Sequence, residues 1–399
     1  MAGPLAGIKV VELGVWVAGP SCAAVLADWG ADVIKIEPPE GDPFRGLGAA
    51  FGAVMNPPFE LDNRGKRSIA LDLEVEDARY VAGDLIDAAD VFVTNMRPRA
   101  LEKYGLTYEK LKDTNPRLIY CQLTGYGPDS PEANRAAYDV GAFWARAGVV
   151  ASLTPAGGEP PLQRGGMGDH MTGANAAGAV SAALYHRERT GEGQKVAVSL
   201  TRIGMYMMGW DANTQLRANL PSMPPFDRRH APNPLINPFQ DSEGRWFWLL
   251  MLQGDRHWPD FLRAVGGPPE LADDPRFVDI LGRRDNAPEL VALLDGILGR
   301  RPLREWGPVF DANDVWFAPV QTIAEAVQDP VIRAAGAIVT IEAPDGPKEQ
   351  VATPADFYGT PIVPTNWAPE LGQDTETILL ECGYDWDRIA SLKELGAIP

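Results

Sequence analysis

The most suggestive chemistry in the chain is a single carboxylate set among glycines. Gly165, Gly166, Met167, Gly168, Asp169, His170, Met171, Thr172 and Gly173 run consecutively. Little side-chain bulk therefore stands between the backbone at Asp169 and a large substrate. An Ala-rich stretch from Ala174 to Arg189 follows and is closed by Gly191 and Gly193, the pattern of a helix with its stop signal. Free N–H groups and the dipole at the start of that helix favour an ionised carboxylate. Such a group can attack an acyl carbon. The same placement also suits plain helix capping, and local sequence leaves both readings open.

Other familiar sites do not fit. The turn from Gly14 to Pro20 lacks the glycine spacing of a dinucleotide loop, and neither a Walker A sequence nor a GxSxG elbow occurs. Glu37, at a strand end, reads as an ordinary surface or strand-end carboxylate. The four histidines, His170, His186, His230 and His257, include no pair at i, i+4 around a glutamate, so a zincin is excluded. Cys22, Cys121 and Cys382 show no CxxC spacing and read as reduced core thiols, with no metal site expected.

The elements that must position Asp169 are strands alternating with helices. Strands are expected at Ile8–Leu13, Asp32–Ile36, Ser68–Leu73, Val91–Thr94, Leu118–Leu123 and Lys195–Ser199. An Ala-rich stretch to Trp29 and helices near Asp77–Ala88 and Tyr108–Asp113 lie between them. That alternation predicts an α/β fold with a parallel sheet covered on both faces. Met205, Met207, Met208 and Trp210, at helical spacing, read as core rather than as a ligand pocket. Six prolines between Leu220 and Pro238 mark a change of domain. Beyond them a strand at Trp246–Met251 and helices near Arg256–Val265, Glu289–Arg300 and Leu303–Asp311 make a smaller α+β domain. The expected division is 1–220, 221–329 and a C-terminal segment, 330–399, that pattern alone does not place.

Composition bounds the function. The 399 residues are 45% hydrophobic and 23% charged, enough for a large core, and the formal charge is −18. Spread along the chain, that charge argues against nucleic acid as a partner. No apolar run approaches the roughly 20 residues of a bilayer helix, and the N-terminus lacks a basic, then apolar, leader. A cytoplasmic protein without membrane association is expected.

Several stretches in order, Pro4–Gly14, Ala18–Pro20, Leu26–Glu37, Asn63–Asp72, Asn95–Leu101, Leu123–Gly127, Gly168–Asp169 and Arg189–Gln194, resemble the class III (CaiB/BaiF) CoA-transferases, the family of formyl-CoA and carnitine CoA-transferases. The resemblance implies a Rossmann-like large domain, a smaller domain, a return of the C-terminal segment 330–399 to the large domain, and an interlocked homodimer. It makes Asp169 a nucleophile that passes through an aspartyl anhydride and an aspartyl-CoA thioester, with CoA thioesters and carboxylic acids as substrates and no tightly bound cofactor. By matching position, Asn95, Met96 and Arg97 line the nucleotide part of CoA, with Lys103 near its phosphates and Ala18 near its chain. Leu71 and Asp72 border the adenine, and Tyr138 and Asp139 the pantetheine end. Gly166 and Gly168 are candidate backbone donors to an oxyanion.

Two departures from the formyl-CoA transferases bear on substrate. Val17 stands where they carry glutamine, and Met251–His257 replaces a glycine run. Ala142–Gly148 and Ala183–Arg189 look closer to transferases for larger 2-hydroxy, aryl or branched acids, and Trp16, Phe143, Trp144 and the Met-rich helix are candidates for an apolar acyl pocket, with Trp144 equally readable as core. Two other functions compete. An α-methylacyl-CoA racemase needs a histidine where this chain has Tyr138, a poor base near neutral pH. A non-catalytic acyl-CoA-binding protein would bind without exchange.

Overall fold

In the computed structural model, which describes residues 3–50, 52–53, 55–220, 227–361 and 366–399, six strands form one parallel sheet. They are β1 (Lys9–Leu13), β2 (Asp32–Glu37), β3 (Lys66–Ala70), β4 (Val91–Thr94), β5 (Ile119–Thr124) and β6 (Gln194–Ser199), in the order β3-β2-β1-β4-β5-β6. Both faces of the sheet are covered, so the strands are short and mostly buried, apolar throughout in β4 up to Thr94 and interrupted by the buried Glu12, Lys35, Glu37 and Lys66 in β1 to β3. Alternate residues go to opposite sides: Val11, Phe92 and Tyr120 enter one core, Val10, Val91, Val93, Ile119 and Cys121 the other. Helices Glu76–Asp87, Thr375–Glu381 and Trp386–Glu394 contribute to the first core; helices Ala18–Asp28 and Met167–Thr190 fill the second.

The chain divides into two compact units. One comprises residues 1–151, 162–219 and 330–399; the other comprises 152–161 and 220–329. The second unit carries an antiparallel sheet of β7 (Ile236–Gln240), β8 (Trp246–Leu250) and β9 (Phe317–Pro319). Phe247 and Leu249 of β8 are buried beneath helices Gly254–Ala264, Ala287–Leu298 and Leu303–Ala312, while Trp246, Trp248 and Leu250 between them are exposed. The segment after residue 330, which pattern left unplaced, contains the hairpin of β10 (Ile338–Ala343) and β11 (Gly346–Val351) and the two helices that close the first core. No helix of the described residues is long and apolar enough to cross a membrane.

Three expectations need correction. The Asp169 helix starts at Met167, seven residues before the expected Ala174, and contains both Gly168 and Gly173. Helical propensity argues against those glycines, and packing demands them. A Cβ on Gly173 would stand 2.1 Å from Ser21 Oγ and 2.8 Å from the Cys22 nitrogen, so only glycine lets helix Ala18–Asp28 approach this closely. The Met-rich stretch is helical but not core: Met205, Tyr206, Met207 and Trp210 are exposed, Trp210 at 92%. Cys382 is exposed as well, whereas Cys22 and Cys121 are buried thiols.

Candidate active site

In a parallel sheet of this order the crevice opens where strand order reverses, here between β1 and β4, beyond their carboxyl ends. A cavity of about 340 Å³ lies there. Val15, Trp16, Val17 and Ala18 after β1 line it, with Asn95, Met96 and Arg97 after β4, Leu123 to Gly125 at the end of β5, and Leu200 after β6. Tyr138, Asp139 and Asp169 complete the wall. Seven of the expected catalytic and CoA-binding residues thus meet in one place, Ala18, Asn95, Met96, Arg97, Tyr138, Asp139 and Asp169, together with Trp16 and Val17.

Asn95 shapes this cavity by gripping the facing loop. Its Oδ1 accepts the Val15 N–H at 3.0 Å and its Nδ2 donates to the Val15 carbonyl at 2.7 Å. Trp16 then adopts φ +64°, a region that bulky side chains rarely occupy. Its N–H is secured by Asp42 Oδ1 at 3.1 Å, and its ring meets Tyr138 edge-on at 5.9 Å. Beneath the loop lies a buried ionic network. Lys35 bridges Glu12 and Asp42 at 2.9 and 3.1 Å and donates to the Gly14 carbonyl, while Lys66 pairs with Glu12 at 2.6 Å. Glu37, read from sequence as a surface or strand-end carboxylate, is buried, with Arg45 chelating it through two 2.7 Å bonds.

Asp169 stands in the first turn of its helix. The N-cap position is Gly166, at φ +79° and without a capping side chain. Asp139 supplies the missing acceptor from 30 residues away: its Oδ2 accepts the Gly168 N–H at 2.9 Å and the Asp169 N–H at 3.4 Å. Gln163 donates to its Oδ1 at 2.8 Å. Gly168 must be glycine, because a Cβ would fall 2.3 Å from the Phe143 ring and 2.4 Å from Asp139 Oδ1. Burial, with Asp139 and Asp62 adding negative charge, pushes the Asp169 carboxyl up to about 7; His170 opposes the rise. The helix terminus was expected to hold this group ionised. Burial outweighs that, because Asp139 takes the N–H groups that would otherwise face the carboxylate.

The remaining sequence assignments fall elsewhere. The Gly168 N–H, expected to serve an oxyanion, is committed to Asp139, and neither Gly166 nor Gly168 lines the cavity. Leu71 is buried in the core, so its side chain does not border a ligand. Asp72 turns back to accept the Glu74 N–H at 2.9 Å. Lys103 is outside the cavity and held by Glu74 at 2.5 and 2.7 Å. Arg97, by contrast, is exposed and makes no ion pair among the described residues. Phe143 and Trp144 are buried in a small core, which leaves Trp16 as the aromatic residue of the expected acyl pocket that lines the cavity. Asp62 and His170 were given no role from sequence; the one available signal was the position of His170 next to the nucleophile candidate.

Comparison with known proteins places the whole chain in one family. The chain is 33% identical over 395 residues to (R)-2-hydroxy-4-methylpentanoate CoA-transferase of Clostridioides difficile, covering 98% of each chain. It is 32% identical over 394 residues to cinnamoyl-CoA:phenyllactate CoA-transferase of Clostridium sporogenes, covering 97% of this chain and 95% of that one. The crystal structure of a CaiB/BaiF family protein from Brucella suis superposes with a TM-score of 0.84 at 31% identity, over 96% of this chain and all of the other. The model of CoA-transferase family III matches residues 5–375, and the chain belongs to that family.

Proposed function

We propose that this enzyme moves CoA from an acyl-CoA donor to a carboxylic acid, with Asp169 as the nucleophile. A carboxylate oxygen of Asp169 attacks the thioester carbonyl; the C–S bond breaks and CoA leaves as a thiolate, giving a mixed anhydride. The thiolate attacks the Asp169 carbonyl, the donor acid departs as carboxylate, and an aspartyl-CoA thioester remains. An acceptor carboxylate attacks that thioester to form a second anhydride. The thiolate then takes the acceptor acyl group and frees Asp169. No net proton is consumed. The observation that carries the reading is the placement of Asp169, whose carboxyl lines the cavity at the strand ends while largely withdrawn from water. Seclusion limits hydrolysis of the anhydride, and a carboxylate with a raised pKa is a stronger nucleophile than an ordinary one.

The substrates are larger 2-hydroxy, aryl or branched acids. Val15, Trp16, Val17, Leu123 and Leu200 give the cavity apolar walls suited to such groups, and the two relatives named above act on acids of this kind. Arg97 and Ala18 border the CoA, the guanidinium facing its phosphates. The working form is a homodimer of interlocked chains, supported by the exposed apolar side chains of Met205, Tyr206, Trp210 and Leu216 along consecutive helices. The test is intact-mass analysis after incubation with cinnamoyl-CoA, isovaleryl-CoA and succinyl-CoA. A CoA-sized adduct should form on Asp169 in the wild type and be absent from Asp169→Asn. Normal turnover in that variant would end the proposal.

A further inference from the structure

Next to Asp169 stands a second pair that none of these steps uses. His170 Nε2 lies 3.0 Å from Oδ1 of Asp62, in helix Pro57–Asn63. Asp62 is only 2% exposed, and its Oδ2 is buried with no hydrogen-bond partner among the described residues. The imidazole covers the turn that launches the Asp169 helix: a Cβ on Gly166 would meet His170 Cε1 at 3.1 Å and Nδ1 at 3.3 Å. Residues 166–170 are therefore gripped from two sides. Asp139 accepts the Gly168 and Asp169 N–H groups, and Asp62 holds the side chain that follows the nucleophile. The anchor beneath is firm, since neighbouring Asn63 accepts from Lys66 at 3.0 Å and Lys66 pairs with Glu12.

Charge gives the pair a second consequence. The groups facing His170 are Asp62 from helix Pro57–Asn63, Asp139 from the segment before Val140, and Asp169 from its own helix. Asp62 also faces Lys66 of β3 and Glu12 of β1, which bond to each other and largely offset. With His170 neutral, the carboxyls of Asp62, Asp139 and Asp169 crowd one turn without a cation directly among them. Burying like charges together without a counter-charge is costly, and at Asp169 that cost disfavours the ionised form needed for attack.

Building on the transfer reading above, we infer that His170 and Asp62 form a positioning pair for Asp169. As an imidazolium bonded to Asp62, His170 fixes the turn and keeps the neighbouring carboxylate charged for attack. Its bond to Asp62 raises its affinity for the proton, and the resulting positive charge opposes the upward push on Asp169. His170 does not line the cavity, so it acts through Asp169 rather than on substrate. Turnover should then fall on both sides of an optimum, at low pH as Asp169 protonates and at high pH as His170 loses its proton.

The test is the pH profile of kcat and KM, from pH 5.5 to 9.5, for wild type, Asp62→Asn and His170→Gln, with cinnamoyl-CoA as donor and phenyllactate as acceptor. Asp62→Asn keeps an acceptor oxygen for the ring and removes the charge. Its basic limb should move down by about one pH unit, about a tenfold loss at pH 8.5, with KM for the acyl-CoA within about twofold. His170→Gln should lose the basic limb altogether. A uniform loss with an unshifted profile in both variants would mean scaffolding alone and overturn the inference, as would unchanged kcat in both. If Asp62→Asn fails to fold by circular dichroism, the shape of the His170→Gln profile decides. Absence of the CoA adduct in the wild type instead defeats the transfer reading, which separates the two failures.

Discussion

Asp169 works in a place that disfavours its own charge, and that should be measurable without any substrate. Its carboxyl sits at about 7 against an ordinary 3.8, a separation of about three units. Each unit corresponds to about 1.36 kcal/mol, so the ionised side chain weakens the fold by up to about 4 kcal/mol. Water entering the cavity screens part of this, and about 1–2 kcal/mol is the expected net effect. The sign follows from linkage: the folded chain binds this proton more tightly than the unfolded one, so stability is lost as pH rises. The loss begins near the unfolded value of 3.8, grows through the interval to about 7 and is constant above it. Asp169→Asn removes the penalty. The variant should therefore melt about 1–2 °C higher than wild type at pH 8, given about 2.1 cal/mol/K of unfolding entropy for each of the 399 residues. At pH 5 the gain should be roughly 0.4 of that, because only about 1.2 of the three units have accumulated by then. Thermal melts of both proteins at the two pH values, followed by circular dichroism, provide the comparison. Equal melting temperatures at pH 8, or the same gain at both pH values, would refute the argument that burial strains this carboxylate.

Asp139→Asn keeps an oxygen for the Gly168 N–H while deleting the charge that adds to burial at Asp169, so the acid limb of kcat should shift to lower pH; a limb that stays in place or moves up contradicts the electrostatic assignment. Arg97→Ala should raise KM for acyl-CoA by about tenfold with kcat little changed, the loss of one charge-assisted phosphate contact, and an unchanged KM would remove Arg97 from the CoA site. Light scattering should return twice the chain mass, and a monomer at micromolar concentration would leave the exposed Trp210 face without its proposed cover.

Much of the scaffold was legible because its signal is local. Parallel strands buried on both faces are short and mostly apolar, and each of the six was expected within three residues of its observed bounds, the largest miss being Leu73 for Ala70 at the end of β3. The start of the Asp169 helix was not legible, since Gly168 and Gly173 look like loop residues until Phe143 and Ser21 stand where a Cβ would go. The Met-rich segment failed for a different reason. Helical spacing of apolar residues reveals that they share a face, and says nothing about what covers it. Family position named Leu71 and Lys103, but the burial of the one and the pairing of the other are set by neighbours such as Glu74 that no motif records.

The contacts that shape the site all join residues distant in sequence. Asp139 reaches Gly168 across 29 positions, Asp62 reaches His170 across 108, and Asn95 holds Val15 across 80. Each is a side-chain polar group whose partner arrives only once the chain has folded. A motif search therefore finds the carboxylate and misses what makes it reactive. The same contacts explain why the site can tolerate a destabilised group. The Lys35, Glu12 and Lys66 network fixes the ends of β1 and β3, while Asn95 fixes the loop above, so the cost of charging Asp169 is borne by a rigid surround. Loosening that surround should lower the carboxyl's pKa by admitting water, and with it the nucleophilicity that burial confers.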